Sequence, residues 1–214
     1  MGKKYQSTAA DSARAQYAHL MEEIKRRNRA MTEMLTGTVP PQPQIIVSDF
    51  CFLQLRLTCE LIILACAVAH GDVTGAEKRK FQKEWHAANL AQKLEQLHPE
   101  FYPKPSQQVL GLDGKVERLE AISDGFLTLS DLNTLYSECG SRLHIGNIKT
   151  LLSNRRPPVD LDRIRVWQDK IIKLLNHHQI QLFDPDYQLW TLMQAKGDGK
   201  VQVNLFQRIG NDAH

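Results

Sequence analysis

Two groups of residues in this sequence combine side-chain type and spacing in ways that can do chemistry. The first is Arg56 and Glu60, four residues apart in a stretch that also holds Leu53, Leu55, Leu57, Leu61 and Ile62. On a helix, residues four apart share a face. A lone charge among leucines is costly, so the two are expected to pair. Such a pair either braces the edge of a core or lines an internal polar site. The second group is the run Tyr136-Ser137-Glu138-Cys139-Gly140-Ser141-Arg142-Leu143-His144-Ile145-Gly146-Asn147, dense in small and polar residues. His144 is of the type that exchanges protons near neutral pH, and Arg142 is of the type that holds a phosphate. The plainer alternative is a helix break with His144 bonded to a backbone carbonyl. The candidate catalytic residues are therefore His144 and Arg142, and the candidate binding residues are Arg56, Glu60, Tyr136 and Asn147.

Other chemistry has little support. The sequence has no Gly-rich phosphate loop, no dinucleotide fingerprint, no His-Glu-x-x-His and no nucleophile elbow. Gly197-Asp198-Gly199-Lys200 is flanked by alternating residues and reads as a hairpin turn. His177 and His178, taken as the end of a helix, would point about 100° apart and chelate poorly. Cys51, Cys59, Cys66 and Cys139 form no Cys-x-x-Cys pair and read as free buried thiols. No metal and no cofactor is expected.

The elements that must position these residues are mostly helical. Tyr17, Leu20, Met21, Ile24, Met31 and Leu35 recur at helical steps, which predicts a helix over 9–35 capped by Asp11 or Ser12. Its other side carries Lys25, Arg26, Arg27 and Arg29, expected as a solvated face. Pro40, Pro41 and Pro43 form a connector. A second helix is expected over 48–69 with Ser48 as cap; it is apolar nearly all round, as suits the centre of a bundle. A third is expected over 77–97, with Phe81, Trp85, Ala88 and Leu94 inward. Residues 98–115 read as a long loop, and 116–122 as either a strand or a helical turn. A fourth helix opens at Thr128 or Ser130 and runs to Cys139, with Gly140 a possible break. A fifth spans 160–177. Beyond it the period becomes two, at 179–183 and 201–206, with an apolar run at 189–193 between them. The expected fold is mainly α: a bundle of about five helices over 9–178, a flexible tail at 1–8, and a small antiparallel β-hairpin or meander over 179–214 packed on the bundle.

Composition narrows the class further. The 214 residues are 42% apolar and 24% charged, an ordinary globular balance. A net charge of +3 is too small to announce a nucleic-acid partner. The start, Met1-Gly2-Lys3-Lys4-Tyr5, lacks the apolar core of a secretory signal. The unbroken apolar run from Leu61 to Ala69 is well short of the roughly 20 residues a bilayer span needs. A cytoplasmic protein without membrane contact is expected.

Leu55-Arg56-Leu57-Thr58-Cys59-Glu60-Leu61-Ile62, then Leu135-Tyr136 followed by Ser141 and Leu143-His144, and the five-helix layout over 9–178 together resemble the HEPN superfamily of helical domains. That resemblance implies an all-helical bundle that commonly dimerises, with a composite site at the dimer interface. Its active members are metal-independent ribonucleases of toxin–antitoxin and phage-defence systems, which use an arginine a few residues ahead of a histidine. His144 matches the histidine. Ser137, Glu138 and Cys139 stand where that arginine would be, so Arg142 or Arg56 would have to replace it. The resemblance thus implies a homodimeric, non-catalytic module binding a protein, nucleotide or RNA, or alternatively a ribonuclease. A structural adaptor outside that superfamily, using an exposed edge strand over 201–206, is the third possibility.

Overall fold

The computed structural model describes residues 7–70, 87–144 and 158–208. Helix α1 spans Ser7–Thr36 and α2 spans Gln44–Ala69. Helix α3 covers Ala87–Leu97; the expected positions 77–86, with Phe81 and Trp85, lie outside the described residues. Strands β1, Lys104–Leu110, and β2, Val116–Ala121, follow. Helices α4, Leu129–Leu143, and α5, Leu161–Leu175, lead to β3, His177–Gln181, β4, Tyr187–Leu192, and β5, Gln202–Gln207.

The chain is mainly helical, but its β structure is more than a C-terminal hairpin. All five described strands join one antiparallel sheet of order β2-β1-β3-β4-β5. Residues 104–110, expected in a loop, form β1. Pro103 and Pro105 signal loop, and Gln107 and Gln108 spoil the alternation. Yet Pro105 sits at the start of β1, where a strand tolerates the missing donor. Strand β1 is shared: Lys104 and Pro105 pair with Gln179 and His178, whereas Ser106 to Leu110 pair with β2. Beyond Ser106 the β1–β2 pair is therefore a two-stranded ribbon extending past the main sheet. Leu110, Leu112, Val116 and Leu119 on it are exposed.

Helix α2 is the centre expected from its composition. Cys51, Phe52, Leu55, Cys59, Ile62, Ile63 and Cys66 are all buried, and α1, α3, α4 and α5 pack around it. Among the described residues it is the one helix long and apolar enough to cross a membrane, and half of its most apolar window is buried inside the protein. It begins at Gln44, so Ser48 is a buried interior residue and not a cap. Helix α1 likewise starts ahead of Asp11 and Ser12. Its buried stripe is Tyr17, Met21, Ile24 and Met31. The basic run opposite is largely occupied: Arg26 and Arg27 pair with Glu23, Arg29 with Glu33, and Arg27 also donates to Gln54 at 2.8 Å.

Thr128 caps α4 in a capping box. Its hydroxyl accepts from the Asp131 amide at 3.0 Å, and the Asp131 carboxylate accepts from the Thr128 amide at 3.2 Å. Gly140 does not interrupt this helix. Asp160 caps α5. Helix α5 ends at Leu175, so His177 and His178 belong to β3 and point to opposite faces of the sheet.

One face of the sheet closes the core. Ile180, Leu189 and Thr191 are buried on that face, where α1 packs on β5 and α5 packs on β1 and β3. Helix α1 is tied to the far end of the chain: Lys25 donates to the carbonyls of Met193 and Gly199, and Glu22 accepts from the Val201 amide at 2.7 Å. Between them, the Tyr17 hydroxyl donates to His178 Nε2 at 2.6 Å, and His178 Nδ1 donates to the Leu175 carbonyl at 2.8 Å. Both rings are fully buried. Burial holds His178 down at about 4 and pushes the Tyr17 hydroxyl well up, so the pair is neutral.

Candidate functional site

Helices α2 and α4 run antiparallel. Glu60 lies beside Tyr136, Arg56 beside Gly140, and Phe52 beside Arg142. This brings three of the sequence-selected residues together. Arg56 Nη2 donates to the Tyr136 hydroxyl at 2.9 Å, and that hydroxyl donates to Glu60 Oε1 at 3.2 Å. The circuit closes with Arg56 Nε and Glu60 Oε1 3.4 Å apart. The guanidinium also lies over the Tyr136 ring, 4.4 Å from its centre. Gly140 makes room for it: a Cβ there would sit 3.3 Å from Arg56 Nη1.

The circuit is half-exposed, with the Arg56 and Glu60 side chains at 30% and 31%. It lies at the rim of the core, where water helps carry the charges. Burial raises the Tyr136 hydroxyl above its ordinary value, with Arg56 pulling it down and Glu60 pushing it up. Tyr136 is therefore a phenol that bridges cation and carboxylate. An incoming phosphate would have to displace Glu60 to reach Arg56 fully.

Arg142 stands apart from this circuit. Its Nη1 donates to the Pro158 carbonyl at 2.8 Å, its Nη2 lies 3.7 Å from Glu138, and it covers the Phe52 ring at 4.9 Å. Glu138 is a hub that sequence reasoning passed over. It also accepts from Arg163 at 2.6 Å and from the Trp167 indole at 3.1 Å, so it ties α4 to α5. The one visible hint was its four-residue spacing from Arg142.

His144 is the C-cap residue of α4, and its side chain is exposed. Tyr136, Gly140 and His144 fall on one stripe of the helix, and His144 lies about 12 Å along the axis from Tyr136. Arg56 reaches the first two of these positions. Asn147 lies outside the described residues. Among the described residues, no three His, Cys, Asp or Glu side chains converge as metal ligands.

All four cysteines are buried and free. Burial pushes the thiols up, to about 11 for Cys51 and about 12 for Cys139, so none is a ready nucleophile. The buried histidines were not visible as such in the sequence. His70, just past the end of α2, lies with both ring nitrogens near carbonyls: Cys66 at 2.7 Å and Gln181 at 3.1 Å. His98 reaches the same Gln181 carbonyl at 2.9 Å.

No protein family matches the chain, and no curated protein or solved structure matches it. The α2–α4 geometry is what bears on function in the helical part. The sheet between its helices departs from the all-helical bundle that the HEPN resemblance implies.

Proposed function

We propose that this chain is a non-catalytic binding module, cytoplasmic and homodimeric, whose α2–α4 face recognises a protein, nucleotide or RNA partner in a defence-like setting. The observation that carries this reading is the closed Arg56–Tyr136–Glu60 circuit. A ribonuclease of the kind the resemblance implies needs a guanidinium free to hold the scissile phosphate beside its histidine. Here Arg56 is matched by Glu60 and Tyr136, and Arg142 is held by Glu138 and the Pro158 carbonyl. A half-exposed neutral circuit suits recognition by hydrogen bonds better than phosphoryl chemistry.

The competing reading is a metal-independent ribonuclease in which His144 acts with Arg56 or Arg142. The placement of Tyr136, Gly140 and His144 on one stripe favours it. Expression of the wild-type chain and of His144→Ala, with total RNA resolved on a gel, separates the two. The binding module gives equal growth and intact RNA for both. Cleavage by the wild type that disappears in His144→Ala would replace it with the ribonuclease. Sedimentation of the purified chain tests the homodimer, and a monomer at all concentrations would remove that part.

A further inference from the structure

The outer face of the sheet carries chemistry that the helical site does not use. Leu189 and Thr191 of β4 point into the core, so Gln188, Trp190 and Leu192 point outward. Residues directly opposite one another share a face, which adds Gln179 and Gln181 from β3 and Asn204 and Phe206 from β5. At the end of this face is a cavity of about 450 Å³. Trp190, Phe206 and Leu119 are its apolar walls, and Asp186, Gln207 and Arg208 are among its polar lining. That volume falls in the usual small-molecule range.

Trp190 is held in place before any ligand arrives. Its indole N–H donates to Gln188 Oε1 at 3.0 Å, and Gln188 Nε2 donates to Gln181 Oε1 at 2.9 Å. Gln181 Nε2 in turn donates to the Tyr187 carbonyl at 3.0 Å. His177 and Phe206 meet the indole edge to face, at 5.8 and 5.7 Å. The His177 ring is itself fixed by Ser106, 2.7 Å from its Nδ1. This relay fixes the indole plane and uses up its donor, so Trp190 offers a ligand only an apolar face.

The rim is the reverse. Among the described residues, no hydrogen bond or ion pair occupies the Asp186 carboxylate or the Arg208 guanidinium. One carboxylate and one guanidinium cancel, so the rim favours a neutral ligand rich in both donors and acceptors. A nucleic acid would need a basic track for its phosphates. The lysines and arginine on the neighbouring strands do not supply one: Lys104 is paired with Glu100, Arg118 with Glu120, and Lys115 with Asp113.

We propose that this cavity binds an uncharged sugar ring, its C–H face stacked on Trp190 in the angle that the indole makes with Phe206 and its hydroxyls bonded to Asp186 and Arg208. The site stands apart from the α2–α4 face and does not depend on what that face does.

Saturation-transfer NMR on the full chain, with methyl glucoside, methyl galactoside, methyl mannoside and N-acetylglucosamine as separate probes, tests it. A further arm uses AMP and GMP. At least one sugar is expected to bind saturably through its ring C–H protons. Asp186→Ala is expected to weaken it by about tenfold or more, the loss of one charge-assisted hydrogen bond, with the thermal unfolding curve unchanged. Arg208→Ala, also at the exposed rim, gives a second decrease. The proposal is overturned if none of the sugars binds, if binding survives both variants undiminished, or if AMP or GMP binds while the sugars do not.

Discussion

Acidification acts most directly on the buried Tyr17–His178 pair. His178 is fully buried, and burial lowers it from about 6.5 to about 4. Above pH 6.5 the ring is neutral in both folded and unfolded chains, and its contribution does not change with pH. Between pH 6.5 and 4 the unfolded chain takes up a proton that the folded chain refuses, so stability falls with falling pH. The span is about 2.5 pH units, equivalent to about 3 kcal/mol. Below pH 4 both states are protonated and this loss levels off. Urea unfolding of the wild type at a series of pH values, followed by circular dichroism, gives the whole curve. His70 and His177 are also lowered by burial and add to the same trend. The contribution of His178 is isolated as the difference between wild type and His178→Gln. That difference is expected to change by about 3 kcal/mol between pH 6.5 and 4. Parallel wild-type and variant curves would refute the reasoning, as would an NMR titration of the His178 ring with a midpoint near 6.5.

Three further outcomes follow from local geometry. Thr128→Ala removes the hydroxyl that accepts from the Asp131 amide, and is expected to cost about 1 kcal/mol, seen as a drop of roughly 2–4 °C in Tm. Gly140→Ala is expected to stabilise by about 0.5–1 kcal/mol, because the helix interior gains an alanine and the only close contact is the flexible end of Arg56. A loss of stability there would mean that the Arg56 circuit is rigid. The four buried thiols are expected to react with a thiol reagent only as fast as the chain unfolds, so labelling that is complete in native buffer would contradict their burial.

The helices were legible because their signals are local. The stripe of Tyr17, Met21, Ile24 and Met31, the uniformly apolar α2 and the cap at Thr128 each lie within a few turns of chain. Strand β1 was not legible, since its partners are either just ahead, across a turn, or more than seventy residues away at His178 and Gln179. Two prolines in that stretch outweighed a weak alternation. The terminal hairpin was visible in Gly197-Asp198-Gly199 and its alternating flank, but its membership in a larger sheet was not. In the site, Arg56 and Glu60 were found by helical spacing alone. Tyr136 joins them only because α2 and α4 are antiparallel, which no single-helix pattern encodes. The aromatic and amide face around Trp190 escaped notice because glutamines on alternate strand positions look like ordinary solvent-facing residues until their partners are known.

The ties between α1 and the last strands bear on how the chain is made. Tyr17 waits for His178, Glu22 for Val201, and Lys25 for the Gly199 carbonyl. A ribosome adds roughly 5–20 residues per second, so the first helix emerges about ten to thirty seconds before the segment that completes its burial. During that interval its stripe of Tyr17, Met21, Ile24 and Met31 is covered first by α2 and only later by α5. The nascent chain is therefore expected to present an apolar helical pair to chaperones until β4 and β5 leave the exit tunnel, and late truncations should aggregate more readily than their short missing length suggests.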